Sequence, residues 1–332
     1  MRKNELAHNL FDPLILDDLI KRWNEPHRFY HNYYNHLIPI LSRINDDMNL
    51  TPLDKNILEI VAYFHDSIYD PRSKTNEEDS VQLFLKSIIC ADTSKYVQYI
   101  NLISSIILET KSMNPTTSIS EIFLKYDLWT LNNGSVLDLI TDNYLIFKEF
   151  QHYDFNDFKV GRFNFLKNLT IKNASIVESI KYLEKWRPNI GIYAGSFYPL
   201  HKGHLNIIEK AEKIFDKVII VQAQNPDKEA KTNEHDNISN ILKYHEISYL
   251  AEDNFITDFM KNQERNCNTT LIRGLRNGYD FAYELNQFRF LQDRCPNVKT
   301  VFIPCDREYD YIASSAIRSL EKIQKGSGQR YL

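Results

Sequence analysis

The sequence predicts a two-domain chain, an all-helical first part followed by an α/β second part built on a parallel sheet. Three observations carry this reading. Up to about Trp186 apolar residues recur at helical spacing, glycine is confined to Gly134 and Gly161, and no alternating strand pattern persists. Trp186-Arg187-Pro188-Asn189 then interrupts the pattern, because Pro188 disfavours helix at Arg187. From Ile190 onward short apolar runs alternate with helical segments, as in strands joined by crossover helices. The domains drawn on this basis are residues 1–187 and 188–332.

In the first domain, Leu53, Ile57, Ile60, Val61 and Phe64 form one apolar helical stripe. Val81, Phe84, Leu85 and Ile88 form a second, and Leu102, Ile103, Ile106 and Ile107 a third. In the second domain, strands are predicted at Ile190–Ala194, Val218–Val221, Thr269–Ile272 and Val298–Ile303. Ligands on such sheets bind beyond the carboxyl ends of the strands. There the first strand delivers Gly195, the second Asn225-Pro226-Asp227-Lys228 and the third Arg273-Gly274-Leu275-Arg276. The first strand runs through Gly195-Ser196-Phe197-Tyr198-Pro199-Leu200 into His201-Lys202-Gly203-His204, where a helix begins. A strand, a glycine-bearing turn and a helix N-terminus make a phosphate site, since unpaired N–H groups and the helix dipole both favour an anion.

Composition narrows the class. A chain of 332 residues can bury two cores, and 43% hydrophobic with 25% charged residues is ordinary for globular protein. The net charge of −4, with lysine and arginine dispersed, speaks against a nucleic-acid partner. No apolar run reaches membrane-spanning length, and Met1-Arg2-Lys3-Asn4-Glu5 leads into no signal-type stretch, so a cytoplasmic protein is expected. Cys90, Cys267, Cys295 and Cys305 are scattered and read as free thiols.

Ser196-Phe197-Tyr198-Pro199 with His201-Lys202-Gly203-His204 resembles the (T/H)xGH signature of the nucleotidyltransferase superfamily. With Asn225-Pro226-Asp227-Lys228, Arg273-Gly274-Leu275-Arg276, Tyr283-Glu284-Leu285 and Tyr311-Ile312-Ala313-Ser314-Ser315, the stretch from Ile190 to about Leu320 resembles phosphopantetheine adenylyltransferases. These join ATP and 4'-phosphopantetheine into dephospho-coenzyme A and pyrophosphate. The resemblance implies a Rossmann-like nucleotidyltransferase domain and assigns roles by position. His204 would steady the α-phosphate in the transition state and His201 would contact the same phosphate chain. Ser196 and Phe197 would lie between the two substrates, and Lys228 and Arg273 would hold phosphopantetheine. Gly274, Leu275, Arg276 and Glu284 would face ATP, as would Tyr309, Asp310, Tyr311, Ile312, Ala313, Ser314 and Ser315. Mg²⁺ would arrive with ATP, held mainly by phosphates and water. A homo-oligomer is expected. Tyr198 departs from the acidic residue or asparagine usual there, and the chain ends soon after Ser315, short of the family's usual closing helix. The runner-up is adenylyl transfer to nicotinamide mononucleotide, against which Arg273-Gly274-Leu275-Arg276 and Tyr283-Glu284 weigh.

A second ordered set lies in the first domain: Arg28-Phe29-Tyr30-His31-Asn32, His36, Phe64-His65-Asp66, Asn76-Glu77-Glu78, Glu109-Thr110-Lys111, Tyr126-Asp127-Leu128 and Gly161-Arg162. It resembles the HD superfamily of metal-dependent phosphohydrolases, which are all-helical. The resemblance implies that His36, His65, Asp66 and Asp127 bind a divalent metal such as Mn²⁺ or Fe²⁺, which would activate water against a phosphate ester. Glu77, Lys111 and Arg162 are its candidates for orienting substrate. His31 and His36 are five apart, roughly 140° off one helical face, so His31 joins the site only if a helix starts after it or bulges. The alternative for this half is a sensing or assembly module without turnover, attached to an active adenylyltransferase.

Overall fold

The computed structural model describes residues 12–90, 94–170, 173–223, 234–251 and 254–332, and its described residues as far as Lys185 are mostly helical. The helices are α1 (Pro13–Trp23), α2 (Ile38–Asp46), α3 (Pro52–Phe64), α4 (Asn76–Cys90), α5 (Ile100–Ser112), α6 (Ser118–Asp127), α7 (Trp129–Asn133), α8 (Val136–Glu149), α9 (Phe155–Asn168) and α10 (Ala174–Lys185). Packing separates Met1–Glu149 with Arg162–Glu184 from Phe150–Gly161 with Lys185–Leu332. The sequence alone draws one boundary, between 187 and 188; packing draws it at 184/185 and moves residues 150–161 into the second unit.

In the first unit the helix starts follow from local chemistry. Asp12 caps α1 by accepting from the Leu14 amide, and Pro13 fills the first helical position, where no amide bond is lost. At α3, Thr51 and Asp54 cap each other's backbone and Pro52 follows the cap. Every residue of α3 from Ile57 to Phe64 is buried, against Trp23, Leu37, Phe84, Ile103, Ile107 and Phe123. Leu53, expected on the same stripe, is instead 41% exposed, because it lies on the first turn, ahead of the buried stretch. Trp23 Nε1 donates to the Tyr63 carbonyl at 2.9 Å, satisfying a backbone acceptor near the end of α3. The core thereby fixes His65, the residue immediately after that helix.

The second unit carries a five-stranded parallel sheet ordered β3-β2-β1-β4-β5, with β1 Asn189–Gly195, β2 Lys217–Ala223, β3 Glu246–Leu250, β4 Asn268–Leu275 and β5 Thr300–Pro304. Helices α11 (Lys202–Glu212), α12 (Glu234–Ile241), α13 (Ile256–Gln263) and α14 (Gly278–Arg294) connect the strands, and α15 (Ser314–Ile323) follows the last. The four expected strands are present. β3 is an addition: it is an edge strand, half-buried apart from the exposed Tyr249, so Glu246-Ile247-Ser248-Tyr249-Leu250 lacks the continuous apolar run of a central strand. Strand order reverses between β1 and β4, and the crevice beyond their carboxyl ends is where such sheets take ligands.

Lys217 explains why residues 150–161 belong to this unit. Its side chain is fully buried at the start of β2, where Nζ pairs with Glu246 Oε2 at 2.7 Å. The same ammonium donates to the carbonyls of Gln151, at 2.8 Å, and Tyr153. Burial works against charge on Lys217 and Glu246 alike, and the pairing offsets it. Arg187 secures the entry to β1 in the same way, donating to the carbonyls of Glu264, Arg265 and Cys267. No helix among the described residues is long and apolar enough to cross a membrane.

Candidate functional site

Each unit brings one set of sequence-selected residues together. In the second unit, the β1–α11 turn places Phe197 in the left-handed region (φ 47°), a conformation costing a bulky residue on the order of 1–2 kcal/mol. Packing offsets that cost: the Phe197 ring is 2% exposed and lies 5.2 Å from the Tyr193 ring and 5.1 Å from the His204 ring. His201 caps α11, and its backbone N–H donates to His204 Nδ1 at 3.2 Å. The neutral His204 ring therefore carries its proton on Nε2. The two imidazoles stack at 3.7 Å, and His201 rests on Gly203, where a Cβ would approach its ring to 3.1 Å. Burial, reinforced by the charge of Arg276, lowers the His201 pKa to about 4, so that ring is neutral at pH 7. His201 Nδ1 is buried and has no hydrogen-bond partner among the described residues.

These residues form one wall of a cavity of about 560 Å³. The end of β4 supplies Arg273, Gly274, Leu275 and Arg276, and the start of α15 supplies Ala313, Ser314 and Ser315. The α15 start is tied to the β1 turn by Ser314 Oγ donating to the Pro199 carbonyl at 3.1 Å. Arg276 makes a two-pronged contact with Asp280, Nε–Oδ2 2.7 Å and Nη2–Oδ1 2.9 Å, while Arg273 Nε pairs with Glu284. Two guanidiniums, a histidine donor and a helix N-terminus thus line one concavity, a set suited to a polyanion.

Of the residues expected here, Ser196, Phe197, His201, His204, Arg273, Gly274, Leu275, Arg276, Glu284, Ala313, Ser314 and Ser315 line the cavity. Tyr309, Asp310, Tyr311 and Ile312 do not. Asp306 is held by Asn206 and Lys210 of α11, a short turn follows at Arg307–Tyr309, and only from Ala313 does the chain reach the cavity. Ile312 is buried in the core instead, and Tyr311 is 66% exposed. Lys228 lies outside the described residues. Arg318, which sequence reasoning missed, also lines the cavity, donates to the Tyr198 carbonyl and stacks 5.1 Å from the Tyr198 ring. Its position one helical turn after Ser314 was the available signal.

In the first unit, His36, His65 and Asp127 present donor atoms that all lie within 4.8 Å of one another. The two Nε2 atoms are 3.3 Å apart, and Asp127 Oδ1 is 3.0 Å from that of His36 and 3.5 Å from that of His65. Asp66 Oδ2 approaches the same nitrogens, at 3.8 Å from His36 and 3.3 Å from His65. His65 Nδ1 donates to the Ala62 carbonyl at 2.9 Å, which leaves Nε2 directed at the cluster. Burial opposes charge on His65, but Asp66 and Asp127 outweigh it and raise its pKa to about 9. On Asp127 burial acts in the opposite sense, raising the pKa, and the two histidines reverse this to a strong lowering. Two imidazoles and two carboxylates converging in this way fit a divalent first-row metal.

The start of this cluster also answers the spacing of His31 and His36. A π-helical turn, Tyr33–Leu37, begins after Asn32, whose side chain caps it by accepting from the Tyr34 and Asn35 amides. His31 therefore precedes the helix, edge-on to His36 at 5.3 Å, with Nδ1 2.7 Å from Glu149 Oε2. The buried Glu149 carboxylate also accepts from three consecutive amides, those of Phe29, Tyr30 and His31, and from the Tyr69 hydroxyl. Glu77 and Lys111 pair at 3.5 Å, and Arg162 donates to Asn143 Oδ1 at 2.7 Å. None of these three lines the cavity of about 360 Å³ that opens on His36 and Asp127.

Comparison with known proteins bears on the second unit. Residues 192–320 match the cytidylyltransferase-like family. The phosphopantetheine adenylyltransferase of Mycoplasma capricolum subsp. capricolum is 34% identical over 143 residues, covering 41% of this chain and 99% of that protein. That of Alkaliphilus metalliredigens is 32% identical over 139 residues, covering 41% of this chain and 87% of the relative. A solved structure titled a putative nicotinate-nucleotide adenylyltransferase from Vibrio parahaemolyticus covers 42% of this chain and 85% of its own, at 13% identity and a TM-score of 0.32, too slight a likeness to decide anything. The relatives do not favour the nicotinamide mononucleotide reading. Through its carboxyl-terminal unit, this chain belongs to the phosphopantetheine adenylyltransferase family of nucleotidyltransferases.

Proposed function

We propose that the carboxyl-terminal unit transfers the adenylyl group of ATP to 4'-phosphopantetheine, giving dephospho-coenzyme A and pyrophosphate. The observation that carries this is the convergence of His204, Arg273, Arg276 and the α15 N-terminus on one cavity, in a chain whose relatives bear that enzyme's name. An oxygen of the acceptor phosphate attacks the α-phosphorus in line, and the bond to the pyrophosphate oxygen breaks. Such transfers need positioning and charge stabilisation more than covalent help. In this reading the His204 Nε2–H donates to a non-bridging α-phosphate oxygen as charge accumulates there. Neutral His201 orients the His204 ring by stacking and by its backbone N–H. Arg273 and Arg276 exchange Glu284 and Asp280 for substrate phosphates. Lys228 is assigned to the acceptor by family position alone. Mg²⁺ would come with the nucleotide, held mainly by its phosphates and water. The aromatic side chains of Tyr279, Phe281, Tyr283 and Phe290 are exposed along α14, a helix with no buried residue, and favour a homo-oligomer. The test is pyrophosphate release with ATP, Mg²⁺ and either phosphopantetheine or nicotinamide mononucleotide. Release only with the second refutes the proposal.

For the amino-terminal unit the same proposal assigns a metal-dependent phosphohydrolase of HD type, supported by the donor set of His36, His65, Asp66 and Asp127. These four residues would hold the metal, and the metal would supply a water activated for attack on a phosphate ester. Glu149 fixes the backbone of residues 29–31 and orients His31 beside His36. Metal analysis after supplementation with Mn²⁺ is the test, with stoichiometric metal expected in the wild type and loss in Asp66→Ala. Absence of metal from the wild type favours a sensing or assembly role instead.

A further inference from the structure

The cavity that opens on His36 and Asp127 carries an arginine that nothing else in the cavity neutralises. Arg43 lies seven residues after His36, on the same wall, with Pro39 and Ile40 lining the cavity between them. Seven residues at the rise of a helix separate their backbones by about 10 Å along the helix axis. The Arg43 guanidinium rests over the Trp129 ring at 4.8 Å and, among the described residues, pairs with no carboxylate. The arginines beside the two candidate sites are held differently. Arg273 and Arg276 are held by Glu284 and Asp280, Arg28 by the carbonyls of Asp66 and Ser67, and Arg162 by Asn143. Asp138 and Asp142 also line the cavity, but Asp138 is engaged by the Ser135 amide and hydroxyl, and Asp142 by Thr130. The guanidinium whose charge faces Asp142 is Arg162 and not Arg43.

We propose that this cavity binds a phosphorylated polyol or sugar with two anionic groups, one at the His36–His65–Asp127 cluster and one on Arg43, with Thr130 and Asp142 facing its hydroxyls. The assignment rests on the metal-dependent hydrolase reading for the first anion and on Arg43 alone for the second. A planar guanidinium already pre-oriented by stacking is suited to a bidentate grip on a phosphate or carboxylate. The phosphates of a hexose 1,6-bisphosphate are separated by a length of the same order as that backbone rise.

The test is calorimetric titration of the full chain, supplemented with Mn²⁺, with fructose 1,6-bisphosphate and with fructose 6-phosphate. Neither is a nucleotide, and the comparison of wild type with Arg43→Gln isolates this cavity from the adenylyltransferase site. Loss of one charge-assisted contact predicts that the bisphosphate binds the wild type about 10-fold tighter than the monophosphate, and that Arg43→Gln abolishes the advantage. Metal content should be the same in both proteins, and Arg43→Lys should restore part of the preference. Equal affinity for the two sugars, no binding of either, or a preference that survives Arg43→Gln overturns the proposal. A wild type that holds no metal overturns the hydrolase reading separately, and an Arg43-dependent preference measured without metal still supports the second anion subsite.

Discussion

Replacing His204 by alanine separates chemistry from folding more cleanly than any other change in the carboxyl-terminal unit. Nδ1 of the ring accepts the His201 amide at 3.2 Å, so the neutral ring carries its proton on Nε2. Phe197 and His201 pack against the ring, at 5.1 and 3.7 Å between centroids, and hold its orientation. Losing a donor aimed at charge that develops in transfer costs about 10²–10³ in kcat, or roughly 3–4 kcal/mol of barrier. The same substitution removes one N-cap hydrogen bond and one ring stack, together worth about 1–2 kcal/mol of stability. The assay is pyrophosphate release at saturating ATP and phosphopantetheine, paired with a thermal melt. A folded variant should turn over at least 100-fold slower than the wild type. Turnover within about threefold of wild type, with the fold intact, removes His204 from the mechanism.

Three further outcomes follow from the geometry. Lys217→Met leaves Glu246 buried without its partner and strands two carbonyls, so the second unit should lose about 3–5 kcal/mol, read as faster amide exchange in β1 and β2; unchanged protection contradicts the buried pairing. His201 has its pKa depressed to about 4, against an ordinary value near 6.5. The unfolded chain therefore binds more protons between those values, and the stability His201 permits is complete above about pH 6.5 and is lost as pH falls toward 4. The wild type should lose more stability over that window than His201→Gln in chemical denaturation, and identical slopes argue against a buried neutral imidazole. Asp127→Asn keeps the shape of the histidine cluster but weakens the donor set, so metal affinity should fall at least about 10-fold while helical circular dichroism is retained.

How far the sequence reveals this molecule depends on how local each feature is. The His201–His204 motif, the Arg273–Arg276 turn and His65-Asp66 are contiguous in sequence and sit where a strand or a buried helix ends, so they could be read directly. Partners set by tertiary packing could not. Lys217 reads as the polar start of a strand, and only the fold brings Gln151 and Tyr153 to it. Glu149 lies 118 residues from His31, with nothing in its own helix to mark it as the carboxylate that fixes the loop before His36. β3 escaped because an edge strand needs no apolar run. Tyr309 to Ile312 are assigned to ATP by family position; Asp306 is anchored to α11 just before them, and from there on it is Ala313, Ser314, Ser315 and Arg318 that line the cavity. The π-turn at Tyr33–Leu37 shows the reverse: a spacing that fits no regular α-helical face pointed to a real irregularity.

The most direct test of the central claim is the identity of the nucleotide product. The protein is incubated with ATP, Mg²⁺ and 4'-phosphopantetheine, and the products are resolved by mass spectrometry alongside His204→Ala. Dephospho-coenzyme A and pyrophosphate in equal amounts, both strongly reduced in the variant, are the predicted result. ATP converted only to ADP and phosphate, or an adenylylated product formed from nicotinamide mononucleotide but not from phosphopantetheine, would contradict it.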